Sequence, residues 1–310
     1  MAVTFFEALP TTRPAAARHA LAVRAASRTA VLVANAVGFA AAFVVAYLLF
    51  VRTDAGQRAE NGVVHSAQSV VKSTVDWAAP LRSADLVVGL GAAAIVLVVA
   101  ALARGRFTLG VSALLLLSAP LMVAQLLKLY VLERPEIRDG FGVAGHNSFP
   151  SGHVSAAMAV LLAVAVVLPR RARLPMLLTG ALGVGWVAAA TIALGWHRLS
   201  DTLGGCALVA TAFCAGGALI SSRRPDGSRI PVVPVALGLV TPVLLVLGGY
   251  AVLSSATSES ARFVAAMVLA AVSAVVVVVL VALPLHKVGF DRRAGRSARD
   301  RALIASADRR

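Results

Sequence analysis

Long apolar stretches, separated by short polar and basic loops, dominate the pattern of residues along the chain. Eight of these stretches are long enough to cross the ~30 Å hydrocarbon core of a bilayer as helices. They are 29–51, 86–103, 109–132, 151–168, 176–195, 202–220, 231–253 and 263–285. The pattern therefore predicts an all-α fold, a polytopic bundle of transmembrane helices.

Composition supports a membrane protein and excludes an ordinary soluble domain. Apolar residues make up 59% of the 310 residues and charged residues only 14%, whereas soluble domains carry about 45–50% and about 25%. The net charge of +15 is compatible with nucleic-acid binding, but the basic residues lie in short clusters between apolar stretches. We therefore expect membrane lipids, and no nucleic acid, around this chain.

The basic clusters predict the orientation of the helices. If the eight helices alternate in direction, most of the 29 Lys and Arg residues fall on one side. These residues lie in segment 1–28, in the loops around 104–106, 170–173 and 223–229, and in the tail 286–310. Because basic loops face the cytoplasm, we expect a multi-pass protein of the cell membrane with both termini cytoplasmic.

The first loop on the opposite, extracytoplasmic side carries an amphipathic segment. Over 62–79, apolar residues such as Val63, Ala67 and Val71 recur at helical spacing among polar residues. This spacing predicts a helix that lies in the membrane interface over the outer surface.

Ionisable residues gather at the extracytoplasmic ends of consecutive predicted helices. Such groups are costly inside or at the rim of a membrane, so a cluster of them indicates function. They are Lys128 and Arg134 after the third helix, Ser151-Gly152-His153 at the start of the fourth, and His197, Arg198 and Asp201 between the fifth and sixth.

Two of these clusters have the chemistry of an anion site. A helix that begins after Pro150 leaves free amides at Ser151, Gly152 and His153, and the positive end of its dipole adds to them. Gly152 allows a close approach to the backbone. Lys128 and Arg134 supply positive charge, and the guanidinium can bind two phosphoryl oxygens at once.

The two histidines have the chemistry of phosphoryl transfer. His197 and Asp201 are spaced i, i+4, so a helical turn brings the carboxylate to one imidazole nitrogen and leaves the other free to attack. His153 lies at the anion site and can protonate a leaving oxygen.

At these residues the chain resembles the type-2 phosphatidic acid phosphatase superfamily of integral-membrane lipid phosphatases. The family signature is Lys, six residues, Arg-Pro; then Pro-Ser-Gly-His; then Ser-Arg, five residues, His, three residues, Asp. Pro150-Ser151-Gly152-His153 matches the second motif, and His197 with Asp201 matches the end of the third. The resemblance covers roughly residues 29–220.

The chain departs from the family pattern at two places. Five residues instead of six separate Lys128 from Arg134, which turns Lys128 by about 100° on a helix. The Ser-Arg pair should stand at 190 and 191, where this chain has Ala190 and Thr191. Arg198 and Arg138 are the nearest candidates to replace the missing arginine as a phosphate ligand.

The resemblance implies a phosphatase that acts on a lipid phosphate or diphosphate, polyprenyl or glycerolipid, at the outer leaflet. It implies a phosphohistidine on His197, with Asp201 and His153 as the other catalytic residues and no metal or cofactor. Two other functions stay open: a non-catalytic relative that binds or transports lipids, and an enzyme that passes phosphate to an acceptor other than water. We expect a six-helix core over 29–220 and two added helices over 230–285.

Overall fold

The computed structural model describes residues 25–70, 76–81, 85–103, 105–135, 147–223 and 230–288. Most of the predicted basic N-terminus (1–28) and basic tail (286–310) lies outside these residues, and so does Arg138.

Helices make up nearly all of the regular structure in these ranges. They are α1 (Arg28–Ala46, which continues as a π-helical turn over Tyr47–Val51), α2 (Asp54–Val70), a 3-10 turn (Asp76–Leu81), α3 (Asp85–Ala103), α4 (Phe107–Leu126, continued by a π-helical turn over Leu127–Val131), α5 (Gly152–Val167), α6 (Arg170–Ala193), α7 (Leu199–Ser222), α8 (Val233–Ser255) and α9 (Glu259–Leu285). Two short strands, β1 (Ala25–Ala26) and β2 (Ile230–Pro231), pair antiparallel at one end of the bundle. The predicted all-α helical bundle is confirmed.

Serine caps define where several helices begin. The hydroxyl oxygens of Ser27, Ser151 and Ser258 accept hydrogen bonds from the amides of Ala30, Val154 and Ala261, at 3.1, 3.3 and 3.2 Å. Each bond satisfies an amide that has no acceptor within its own helix.

Six of the helices are long and apolar enough to cross a membrane: α1 and α4 with their π turns, α6, α7, α8 and α9. The other two predicted spans, in α3 and α5, have shorter apolar stretches, over Gly91–Ala101 and Gly152–Val167. Large apolar side chains point outward, Ile95 and Leu182 among them, with 64% and 68% of their surface exposed. This outward apolar surface suits a lipid environment, and the chain is a multi-pass membrane protein.

The predicted amphipathic segment at 62–79 is helical over its first part, but its helix begins earlier, at Asp54. Val63 and Ala67 are buried, as the apolar spacing predicts. Gln57 and Glu60 are buried as well. The inward face of α2 is therefore partly polar, which the apolar spacing alone did not indicate.

Close contacts between helices form at small residues. A methyl group added at Gly38 of α1 would collide with the backbone oxygen of Gly238 in α8, and one at Gly185 of α6 would lie 3.0 Å from the backbone oxygen of Ala271 in α9. Both C-terminal helices thus pack against the earlier ones, and all share one buried core. Small residues at such crossings are typical of membrane bundles, because they allow backbones to approach.

The contact between α1 and α8 gives a test of this packing. We expect Gly38→Ala to destabilise the protein by about 1–3 kcal/mol, since rigid backbone atoms must move apart. Gly248→Ala on α8 is the matched control, because an added methyl there meets nothing within 4 Å. Unfolding in detergent can be followed by the reaction of the buried thiols of Cys206 and Cys214. Equal stability of the two variants would contradict this packing.

Candidate active site

Four parts of the chain meet at one end of the bundle: residues 127–135, residues 147–153, the turn 194–201 and helix α2. The first three carry the predicted catalytic and phosphate-binding residues. The fourth, α2, was predicted only as an interfacial helix.

The carboxylate of Asp201 is the centre of the cluster and has no exposed surface. Its Oδ2 accepts hydrogen bonds from Ser148 Oγ at 2.6 Å and from the Arg198 amide at 2.9 Å. Its Oδ1 lies 3.4 Å from Nη2 of Arg134. A buried carboxylate requires partners of this kind, so Asp201 holds three segments of the chain together.

His197 lies directly against this carboxylate. Its Nδ1 is 3.5 Å from Asp201 Oδ2, which is an ion-pair distance rather than a well-formed hydrogen bond. The His197 amide donates to the Thr191 carbonyl at 3.2 Å, across a tight turn in which Gly195 has φ +69°. That backbone conformation favours glycine. With Nδ1 facing Asp201, Nε2 is the nitrogen that can react.

His153 stands beside His197 on the open side of the cluster. The two ring centroids are 5.7 Å apart, and the ring of Trp196 lies 5.2 Å from His153 on a partly exposed position. The two rings are therefore close enough, in an edge-to-face arrangement, to act on the same bound group.

Two predicted cations reach the same place. Arg134 exposes only 5% of its side chain, and its Nε and Nη1 have no hydrogen-bond partner among the residues that the structure describes. Lys128 is half-buried in the π-helical turn after α4 and interacts electrostatically with Asp201 and His153. The five-residue spacing therefore still brings both cations to one site.

The start of α5 differs from the predicted anion site at one amide. The Ser151 amide donates to the Asp201 carbonyl at 2.8 Å, so the prediction that it is free is wrong. Gly152 and His153 begin the helix and have no intrahelical acceptor for their amides. A methyl group added at Gly152 would meet nothing within 4 Å, so the backbone is open to an incoming group there.

The missing Ser-Arg pair leaves an apolar, closed position. Ala190 and Thr191 are both buried, and the Thr191 hydroxyl donates to the Ala188 carbonyl at 2.9 Å. Arg198 is also buried, with its Nη1 3.3 Å from Ser148 Oγ and its Nη2 3.4 Å from Asn61 Oδ1. Burial, with a smaller contribution from nearby Arg134, lowers the pKa of Arg198.

Helix α2 supplies two site residues that were not predicted, Glu60 and Asn61. Glu60 is fully buried, and its carboxylate accepts from the Ser200 amide at 2.7 Å and from the Ser200 hydroxyl at 2.8 Å. Burial raises the pKa of Glu60 from 4.5 to about 7, against the opposing effect of Arg134. One signal was present in the sequence, because Glu60 shares the helical face of Val63 and Ala67.

Comparison with known families identifies the segment that carries most of this cluster. Residues 109–226 match the PAP2 superfamily. The chain carries a PAP2 superfamily domain. No curated protein and no solved structure shows significant similarity to the chain.

The PAP2 segment runs from α4 to just beyond α7, and so contains every predicted site residue from Lys128 to Asp201. The match indicates membrane phosphatase activity in general. Glu60 and Asn61 lie outside the PAP2 segment. Across the described part of the chain, no group of three or more His, Cys, Asp or Glu side chains is arranged to hold a metal ion.

Asp201 allows a test of how far the PAP2 site depends on its buried charge. We expect Asp201→Asn to destabilise the folded protein by about 3–5 kcal/mol, because Arg134 and Arg198 lose their buried counter-charge. Asp54→Asn is the control, since Asp54 pairs with Arg58 at an exposed position and such pairs contribute about 1 kcal/mol or less. The stabilities can be compared by unfolding in mixed detergent micelles. A similar loss in both variants would contradict the central role of Asp201.

Proposed function

We propose that the protein hydrolyses a lipid phosphate or diphosphate at the extracytoplasmic face of the membrane through a phosphohistidine on His197. The proposal is carried by one arrangement: the imidazoles of His153 and His197 lie edge to face with their centroids 5.7 Å apart, and Asp201 lies beside Nδ1 of His197. This arrangement provides a nucleophile, a group that orients it, and a separate acid.

In the first step, Nε2 of His197 attacks phosphorus while the bond from phosphorus to the lipid oxygen breaks. Asp201 keeps the proton on Nδ1 and stabilises the positive charge that forms on the ring. His153 donates its proton to the departing oxygen, which leaves as a lipid alcohol or a lipid monophosphate.

In the second step, water replaces the lipid group on the other side of the phosphorus atom. His153, now neutral, takes a proton from the water as its oxygen attacks phosphorus. The bond between phosphorus and Nε2 breaks, and inorganic phosphate leaves. The proton taken from water restores His153 for the next cycle, so one histidine serves as acid and then as base.

Arg134 is the strongest candidate for binding the phosphoryl oxygens. Its buried guanidinium has two nitrogens without partners among the described residues, and such donors are costly to bury unless a ligand uses them. Lys128 and the amides of Gly152 and His153 add further positive potential. Arg198 stands close enough to contribute in place of the arginine missing at 191.

The membrane setting supports a lipid as the substrate. The site lies at the ends of helices whose outer surfaces are apolar, so a phosphate carried on a prenyl or acyl chain can reach it from the bilayer. Both chain types meet the same kind of generic apolar surface. The phosphate group, rather than the chain, provides the specific contacts.

One observation favours a second candidate function, a non-catalytic relative that binds lipid phosphates. Thr191 stands where the family has a phosphate-binding arginine, and its side chain is turned to the Ala188 carbonyl. Hydrolysis by the purified protein without added metal separates the two candidates. Analysis of the products distinguishes hydrolysis from transfer to another acceptor.

The nucleophile is tested by substitution. We expect His197→Ala to lower kcat at least about a thousandfold, because no phosphohistidine can form. His286→Ala is the matched control, since His286 lies at the opposite end of the bundle, after α9. Rapid quenching of wild type with a substrate labelled on phosphorus should trap an acid-labile label on His197. Normal turnover in the His197→Ala variant would refute the mechanism.

The orientation is tested by labelling. In a variant without Cys206 and Cys214, we expect a cysteine at Thr257 to react with a membrane-impermeant maleimide in intact cells, and one at Ser222 to stay unlabelled. Thr257 is exposed beside α9 at the site end, and Ser222 ends α7 at the other. The reason is the concentration of basic loops at the Ser222 end. The reverse labelling pattern would place the site in the cytoplasm.

A further inference from the structure

The buried carboxylate of Glu60 has no role in the reaction steps above, although it lies among the charges of the site. It is fully buried in α2, outside the PAP2 segment, and it interacts with Arg134, Asp201 and Arg198. Fully buried ionisable groups are costly, so one that the reaction does not use requires another explanation.

Its hydrogen bonds give one part of the explanation. Helix α7 begins after Arg198, whose side chain has only donors and therefore cannot cap the helix amides. Asp201 accepts from the Arg198 amide, and Glu60 accepts from the Ser200 amide and hydroxyl at 2.7 and 2.8 Å. Glu60 therefore caps, from a different helix, the turn that holds His197 and Asp201.

The charge of Glu60 gives the second part of the explanation for its burial. With Glu60 ionised, the two carboxylates of the cluster balance Arg134 and Arg198. With Glu60 protonated, the same four residues carry a net positive charge, and phosphate is bound more strongly. From α9, the exposed Glu259 and the half-buried Arg262 lie along α2 near Gly62.

We propose that Glu60 is a positioning residue that caps α7 through Ser200 and that its charge state sets the affinity of the site for phosphate. This inference rests on the proposed function, because it assumes that phosphate binds beside Arg134. The hydrogen bonds of Glu60 go to Ser200, so it acts through Ser200 and through the local potential.

Both charge states are compatible with the same geometry. The ionised carboxylate accepts two hydrogen bonds from Ser200, whereas the protonated form accepts one from the amide and donates one to the hydroxyl. Glu60→Gln reproduces the second arrangement with a neutral amide. This variant therefore keeps the cap and removes the negative charge at every pH.

The direction of the pH effect follows from the raised pKa. Because the pKa of Glu60 is about 7, wild type carries the neutral acid well below pH 7 and the carboxylate well above it. Phosphate affinity should therefore be higher with Glu60 protonated and should fall as the pH rises through 7. The glutamine variant has no such contribution from position 60.

The experiment measures binding of inorganic phosphate by calorimetry to purified, detergent-solubilised protein at pH 5.5 and 8.5. We compare wild type with Glu60→Gln and with Glu259→Gln, an exposed carboxylate on α9. At pH 8.5 we expect Glu60→Gln to bind about three- to tenfold more tightly than wild type, and at pH 5.5 equally within about twofold. At each pH, the dissociation constant of wild type is divided by that of Glu60→Gln. Titration of phosphate and of the histidines affects both proteins equally, so this ratio removes it.

The inference would be overturned if the ratio of dissociation constants for wild type and Glu60→Gln did not change with pH. It would also be overturned if Glu259→Gln gave the same ratio as Glu60→Gln. Absence of phosphate binding in wild type at both pH values would overturn it too. Phosphate binding with the expected ratio but no hydrolysis would leave the inference standing and refute the proposed function instead.

If Glu60→Gln does not fold, a second variant, Ser200→Ala, tests the same inference. Ser200→Ala removes one donor to the Glu60 carboxylate, so the ionised form loses stabilisation. We expect the pH at which phosphate affinity falls to move upward relative to wild type. An unchanged midpoint in Ser200→Ala would contradict the assignment of that titration to Glu60.

Discussion

The geometry of the site depends on the buried negative charge of Asp201, which must be stabilised by partners within the protein. A bare carboxylate in such surroundings is very unfavourable, so each of its oxygens must be met by a donor or a cation. Those partners come from Arg134, Ser148, His197 and the backbone of Arg198, which belong to three separate parts of the chain. Satisfying one charge therefore fixes the relative positions of α4, α5 and α7.

Helix α2 extends the same constraint beyond the PAP2 segment. Its Glu60 and Asn61 contact Ser200 and Arg198, and its Gln57 donates to the Pro135 carbonyl at 2.8 Å. A helix that resembles a surface element in sequence is thus part of the wall of the site. The candidate site lacks the family arginine at 191, and part of its surrounding charge, that of Glu60, comes from a helix outside the matched segment.

The sequence predicted the helices, and the structure brings residues of the three motifs together, but the sequence missed what depends on distant partners. Apolar stretches locate helices because the bilayer leaves the backbone few alternatives. The amide of Ser151 was misjudged because its acceptor, the Asp201 carbonyl, is fifty residues away. Glu60 was not predicted because a glutamate on an interfacial helix is usually solvated; its position on the face of Val63 and Ala67 was a signal, but its partner Ser200 is 140 residues away.

The shortness of α5 has a consequence for the access of the proposed lipid substrate. Its 16 residues extend about 24 Å, less than the ~30 Å thickness of the hydrocarbon core. A helix of this length that starts at one surface of the hydrocarbon core ends several ångströms short of the other. Under the proposed function, a lipid phosphate would therefore need to move only a few ångströms below the headgroup level to reach the start of α5, while its chain stays in the bilayer.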